Sequence, residues 1–312
     1  MAGTLTTLLA VLLWSFHATV GDLAVHGISA LQLTAEAYAV SLGLLLAIVC
    51  LSRISIVKCL KELGPWLCIL LLASGPIMMI YYLALYKGLS MAPAVDVYII
   101  HYLWPIFAAV FNKLCLRRDW GTRGTLSWFL MLAAFCGAGL VVLGGGGQAQ
   151  DATYLAGYLL AGVSAVCGGL YLPSLVLAGD RLVGKGYAES AGFLIPYLML
   201  LAGGLAALTL YLPFSGASLT SGSSSWAGAL FIGIGVFVLA EMAWVFGVRW
   251  QRSQATTSLA YLTPVFSTLL LLAIAGEHLH ASTAYGIALI VGANMFLQMS
   301  PQKMSRSTGV LV

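Results

Sequence analysis

Tyr98, His101, Tyr102 and Pro105 fall at i, i+3, i+4 and i+7, the spacing of one helical face. That face carries two phenol hydroxyls and an imidazole. Lipid suits such groups poorly, so the face is expected to meet a partner helix or a wet cavity. Hydroxyls there can bind a carboxylate or an amine, and the rings can stack on apolar side chains or hold an ammonium over their faces. Tyr98, nearest the end of its segment, also suits an interfacial aromatic belt. Trp104 continues the run. Earlier in the chain Tyr82 follows Met78 by four residues, which places a pliable thioether beside a ring. Tyr171, close to Pro173, and Tyr261 are the candidates from later segments. The substrate-binding set is therefore Tyr82, Tyr98, His101, Tyr102, Trp104, Tyr171 and Tyr261.

Two further residues are ionisable and lie well inside apolar segments. Glu241 is about eight residues from the end of its segment, where a carboxylate is costly unless paired or protonated. It is a candidate to bind an amine or to take up and release a proton; the structural alternative is a hydrogen bond to Trp244 or a neighbouring helix. His17 is a candidate proton site or a core histidine. Glu36 and Asp96 lie nearer segment ends and are expected to reach headgroup water. Pro105 and Pro264 each remove a backbone donor inside an expected helix, which marks them as hinge candidates.

Other chemistries find no foothold. Gly88-Leu89-Ser90-Met91 lacks the last glycine of a nucleophile elbow. There is no HExxH, no phosphate-binding loop and no potassium-filter signature. The six cysteines form no CxxC pair and read as small packed residues, not as a disulfide framework or a metal site. The chain reads as a non-enzyme with no metal, no cofactor and no nucleic-acid partner.

The elements that position these residues follow from composition. Of 312 residues 61% are apolar and 8% are charged, against about a quarter charged in an average soluble protein. Mean hydropathy is +0.99. Soluble and disordered chains are both excluded. Apolar runs of about 20 residues fit membrane helices rather than barrel strands. Ten spans are expected, at 4–21, 30–51, 63–86, 94–114, 126–144, 154–178, 188–212, 226–248, 256–274 and 283–299. The first is taken as a span and not a secretory signal, because no basic residue precedes it. With ten spans, 13 of the 14 Lys and Arg residues fall on one side and only Lys87 on the other. Basic residues are retained in the cytoplasm, so both termini are expected there.

The glycine-rich loop Gly144–Asp151 divides the chain into five spans and five. The expected halves are 1–146 and 147–312, joined as one membrane domain. An odd number of spans per half inverts the second relative to the first. Tyr102-Leu103-Trp104-Pro105 in span four matches Tyr261-Leu262-Thr263-Pro264 in span nine, at corresponding places of the two halves. Inverted repeats of this kind build many transporters, with the site near mid-membrane. Ala133 and Gly137 have small-xxx-small spacing, suited to close packing inside the monomer or between copies in a homo-oligomer.

These features together resemble the drug/metabolite transporter superfamily, in its ten-helix branch. The Tyr82–Tyr86 and His101–Pro105 segments are similar to the bacterial aromatic amino-acid exporters. The resemblance implies an all-α polytopic fold of two inverted five-helix repeats around a central cavity. It implies export of amino acids, aromatic or otherwise apolar, from a bacterial inner membrane by alternating access. Other small metabolites or drugs are the alternative cargo, and a non-transporting receptor or scaffold is the alternative of a different class. One departure is that Trp14-Ser15-Phe16-His17 carries no carboxylate where the small multidrug branch has a glutamate in its first helix.

Overall fold

The computed structural model describes residues 2–116, 124–144, 152–215, 223–251 and 259–298. The glycine loop after Gly144, the 146/147 boundary, Arg117, Arg118, Arg123, Arg252, Lys303 and Arg306 lie outside them. All regular structure among the described residues is helical. The helices are α1 (Ala2–Val25), α2 (Ala30–Leu51), α3 (Ile56–Leu89), α4 (Ala94–His101), α5 (Trp104–Leu116), α6 (Gly124–Gly144), α7 (Ala152–Gly184) and α8 (Glu189–Tyr211). After these come α9 (Ser223–Leu230), α10 (Glu241–Gln251), α11 (Leu262–Leu270) and α12 (Ala281–Gln298). A π-wound stretch, Phe231–Ala240, joins α9 to α10, and another, Leu271–Ala275, extends α11. Seven of the resulting rods are long and apolar enough to cross a membrane; three shorter apolar ones run over Phe129–Leu143, Leu259–Ala275 and Ala281–Phe296.

The helices are apolar outside and polar inside. On α1, Leu5, Leu9, Leu12, Phe16 and Leu23 form an exposed stripe, while Thr7, Ser15, His17, Thr19 and Asp22 are buried. In water this arrangement would be inverted. In lipid it is the stable one, because hydroxyls can be satisfied within the bundle. Thr7 and Ser15 each donate to the carbonyl four residues back, at 2.9 and 2.7 Å. The protein is a multi-pass membrane protein. Three of the cysteines depart from expectation: Cys50, Cys115 and Cys136 are exposed rather than packed in the core, because cysteine is apolar enough to face lipid.

Span three is interrupted near its start. Gly64 adopts φ 77°, so Ile56–Leu63 is a separate short helix and Pro65 begins the long rod. Span four is broken outright. α4 ends at His101 and α5 starts at Trp104, with Tyr102 at φ −65°, ψ 3°. Pro105 therefore does not kink a continuous helix. It occupies the first turn of a new one, where a missing N–H costs nothing. Pro264 does the same in α11, after a 3-10 turn ending at Tyr261 with φ −72°, ψ −9°. The tyrosines of the two Tyr-Leu-x-Pro motifs thus have similar backbone angles.

The closest helix pairings join segments from before the glycine loop to segments after it. α3 packs on α7 and α8, α6 on α12, α5 on α7, and α1 on α10. The small residues of α6 serve this inside the chain: a Cβ on Gly137 would lie 2.9 Å from the Gly286 carbonyl of α12.

Candidate functional site

The candidate residues lie on α1, α3, α4 and α7, with Tyr102 just after α4, Trp104 on α5, Glu241 on α10 and Tyr261 just before α11. On α3, Met78, Tyr82 and Tyr86 repeat every four residues, and all are buried. The two tyrosine rings begin a continuous aromatic group. Tyr82 packs on Tyr81 (centroids 4.5 Å apart) and Phe237 (4.1 Å), with Tyr38 6.3 Å away. His17 stands edge-on to Tyr86 (5.7 Å) and Tyr98 (5.9 Å), and its Nε2 lies 2.8 Å from the Tyr86 hydroxyl. His17 is thus a buried histidine held by a tyrosine. Tyr98 leads on to His101 (5.7 Å) and Tyr102 (6.4 Å). It is 2% exposed, which argues against the alternative of an interfacial belt. At the other side of the group Tyr171 stands against Tyr81, 5.9 Å away.

The hydrogen bonds around His101 fix its tautomer. Ser164 uses its one proton on the Tyr81 carbonyl, 2.7 Å away. It can only accept from His101, so Nδ1 carries the hydrogen and donates to Ser164 Oγ across 3.0 Å. In the neutral ring Nε2 is then an acceptor, and the Tyr81 hydroxyl donates to it at 3.2 Å. The phenol oxygen keeps its lone pairs for another donor. Two glycines of α7 make this approach feasible. A Cβ on Gly168 would collide with the Tyr81 ring and crowd Trp104, and one on Gly169 would collide with the Phe107–Ala108 backbone.

The break after α4 exposes a carbonyl that helical bonding would have consumed. Ile106 N–H bonds the Leu103 carbonyl instead, and Asn294 Nδ2 of α12 donates to the Tyr102 carbonyl at 3.2 Å. The Tyr102 hydroxyl lies 3.1 Å from Ser267 Oγ of α11. Trp104 sits past the break and is half-buried against α7. Tyr261 is buried at the second break.

Glu241 starts α10, at the end of the π-wound stretch. The indole facing its carboxylate is Trp14 of α1, and Trp244 packs its ring on Trp14 at 5.4 Å. Tyr81, Tyr82, Tyr171 and Tyr197 lie within electrostatic range of the carboxylate. Several buried hydroxyls have no hydrogen-bond partner, among them Tyr38, Tyr98, Tyr197 and Tyr261. A buried hydroxyl without a partner is costly, so these point to sites that a polar ligand or water would fill.

Asp96 departs from expectation. It is 3% exposed and does not reach water. Tyr158 donates to its Oδ2 at 3.0 Å and Thr283 to its Oδ1 at 2.8 Å. Glu36 is likewise turned inward, accepting from Gln32 at 2.8 Å, with its other oxygen buried.

Sequence spacing missed Tyr38, Tyr197, Phe237, Ser164, Trp14 and Ser267, and passed over Tyr81 in favour of Tyr82. Tyr197 sits next to Pro196 in α8, the same proline-tyrosine pairing that marked Tyr171, and was open to detection on that ground. Ser164 and Ser267 are ordinary small residues of apolar helices, and only the fold reveals their partners.

Residues 1–144 match the EamA-like transporter family. The likeness to the drug/metabolite transporter superfamily therefore holds. The chain is 28% identical over 217 residues to the aromatic amino acid exporter YddG of Ancylobacter novellus, spanning 68% of this chain and 69% of that protein. A solved crystal structure superposes with a TM-score of 0.59 at 24% identity, covering 96% of this chain and 99% of the other. That last likeness concerns the fold, and it extends well past residue 144.

Proposed function

We propose that the protein exports amino acids with aromatic or other apolar side chains across a bacterial inner membrane, by alternating access around the aromatic group. The observation that carries this reading is the gathering of tyrosines around one carboxylate inside a membrane-embedded bundle, with the Tyr197 hydroxyl there left unpartnered. The apolar rings of Tyr82, Tyr98 and Phe237 would take the substrate side chain. Glu241, Tyr171 and the Tyr81 hydroxyl, oriented by His101, would take the ammonium; Tyr102 and the remaining hydroxyls would take the carboxylate. The similarity to an aromatic amino acid exporter supports this class of cargo.

The architecture is ten spans in two inverted halves, 1–146 and 147–312, with both termini in the cytoplasm. The similar backbone angles of Tyr102 and Tyr261 support the duplication. The end of α1, the starts of α4, α7 and α12 and the end of α11 are neighbours, as alternating spans require. Since the closest pairings cross between halves, the moving bodies are helix groups drawn from both, and the breaks at Tyr102 and Tyr261 are the hinges.

The test is reconstitution in liposomes with labelled aromatic, aliphatic and charged amino acids, with and without a pH gradient. Flux of the aromatic and aliphatic ones above empty vesicles is expected. No flux of any amino acid would overturn the reading.

A further inference from the structure

α4 has no cap of its own. α2 and α3 begin with Ser29 and Ser55, whose hydroxyls accept from Gln32 N–H at 3.1 Å and Lys58 N–H at 3.4 Å. α4 begins after Pro93, which has no side-chain acceptor. A helix start leaves several N–H groups unsatisfied, and a side-chain oxygen or a negative charge there is stabilising. Here the acceptor arrives from 183 residues away: Glu277 Oε1 takes the Ala94 N–H at 3.0 Å. Glu277 is aimed by Gly276, whose φ of 71° turns the chain back at the end of the α11 extension. Two residues into α4, Asp96 is bonded to Thr283 at the start of α12 and to Tyr158 of α7. Tyr98 lies one turn beyond Ala94 on the same helix and is buried.

We propose that Glu277, seconded by Asp96, is the latch of the outer mouth: it caps α4 only while the site is shut from outside. Opening outward must part Glu277 from Ala94 and Thr283 from Asp96, leaving the α4 start to water. Closing restores the cap, so the bonds bias the protein toward the outward-closed form without touching substrate. This rests on the transporter reading given above, but it is read without any cargo.

The experiment uses Tyr98→Cys as a reporter in the full-length chain, in intact cells, with a membrane-impermeant maleimide. The chain without the reporter supplies the background from the native cysteines. Labelling is expected to speed up several-fold when Glu277→Ala is added. It should stay near the parental rate with Glu277→Gln, which keeps a carbonyl acceptor. Thr283→Val is a second break of the latch, used if the alanine variant does not accumulate, and it should also speed labelling. Equal rates with and without these substitutions would overturn the latch, as would a glutamine variant as open as the alanine one. Amino-acid flux is measured separately in liposomes, so absent flux with accelerated labelling would sink the cargo reading and leave the latch standing.

Discussion

The Tyr102 hydroxyl lies 3.1 Å from Ser267 Oγ, so the residue that ends α4 is bonded to the helix that the second Tyr-Leu-x-Pro motif starts. Asn294 reinforces the link by donating to the carbonyl of the same tyrosine. The helix break is thus a junction of α4, α5, α11 and α12.

Tyr102→Phe and Ser267→Ala are each expected to lower thermal stability in detergent only modestly. Interhelical bonds in membrane proteins contribute about 0.6 kcal/mol on average, up to ~1.7. The double variant should be no less stable than the worse single one, because both remove the same bond. Additive losses in a double-mutant cycle would place the two residues in separate interactions.

Ser164→Ala removes the acceptor that holds the hydrogen on His101 Nδ1. The ring is then free to exchange tautomers, and the Tyr81 hydroxyl loses its fixed orientation. Nitrogen NMR of labelled histidine should show a single Nδ1–H form in the parent and a mixture in the variant. Apparent affinity for amino acids should weaken, by about 0.5–1.5 kcal/mol for one misdirected hydrogen bond.

Glu241→Gln keeps the shape and the Trp14 contact but removes the charge. If the carboxylate takes the substrate ammonium, KM should rise for amino acids while uncharged analogues lacking the amine are unaffected. If it carries a proton instead, the variant should lose any response of flux to a pH gradient and still exchange amino acids. An unchanged KM together with an unchanged gradient response would leave Glu241 a structural partner of Trp14.

Gly169→Ala places a methyl against the Phe107–Ala108 backbone, which no side-chain rotation relieves. Overpacking of this kind costs about 1–3 kcal/mol. The variant should melt earlier, whereas Gly162→Ala on the same helix, with open space around it, should not. Matching melting points for the two would contradict the close approach of α5 and α7.

Much of this was legible beforehand, for physical reasons. Long apolar runs cut by Gly, Pro and charge can only be membrane helices, so α1, α2, α7 and α8 fall close to the spans read from sequence. The i, i+4 pairing of Met78 with Tyr82 gave the inward face of α3. The break before Pro105 was not legible for a local reason: a proline inside an apolar run is compatible with a kink or with a fresh start. Only the φ and ψ of Tyr102 distinguish the two. Asp96 was misread because distance from a segment end measures depth in the membrane, and not which way a side chain turns. Its partners, Tyr158 and Thr283, are brought in by tertiary packing. So is Glu277, which sits in no segment and matches no motif.

The fit of Gly137 against Gly286 also bears on how the chain is made. α6 emerges from the ribosome long before α12, and until α12 arrives its smooth glycine face has no mate. During synthesis that face must wait against lipid or a chaperone. Changes that widen it, such as Gly137→Leu, are therefore expected to act early, as degraded nascent protein, rather than as a slow finished transporter.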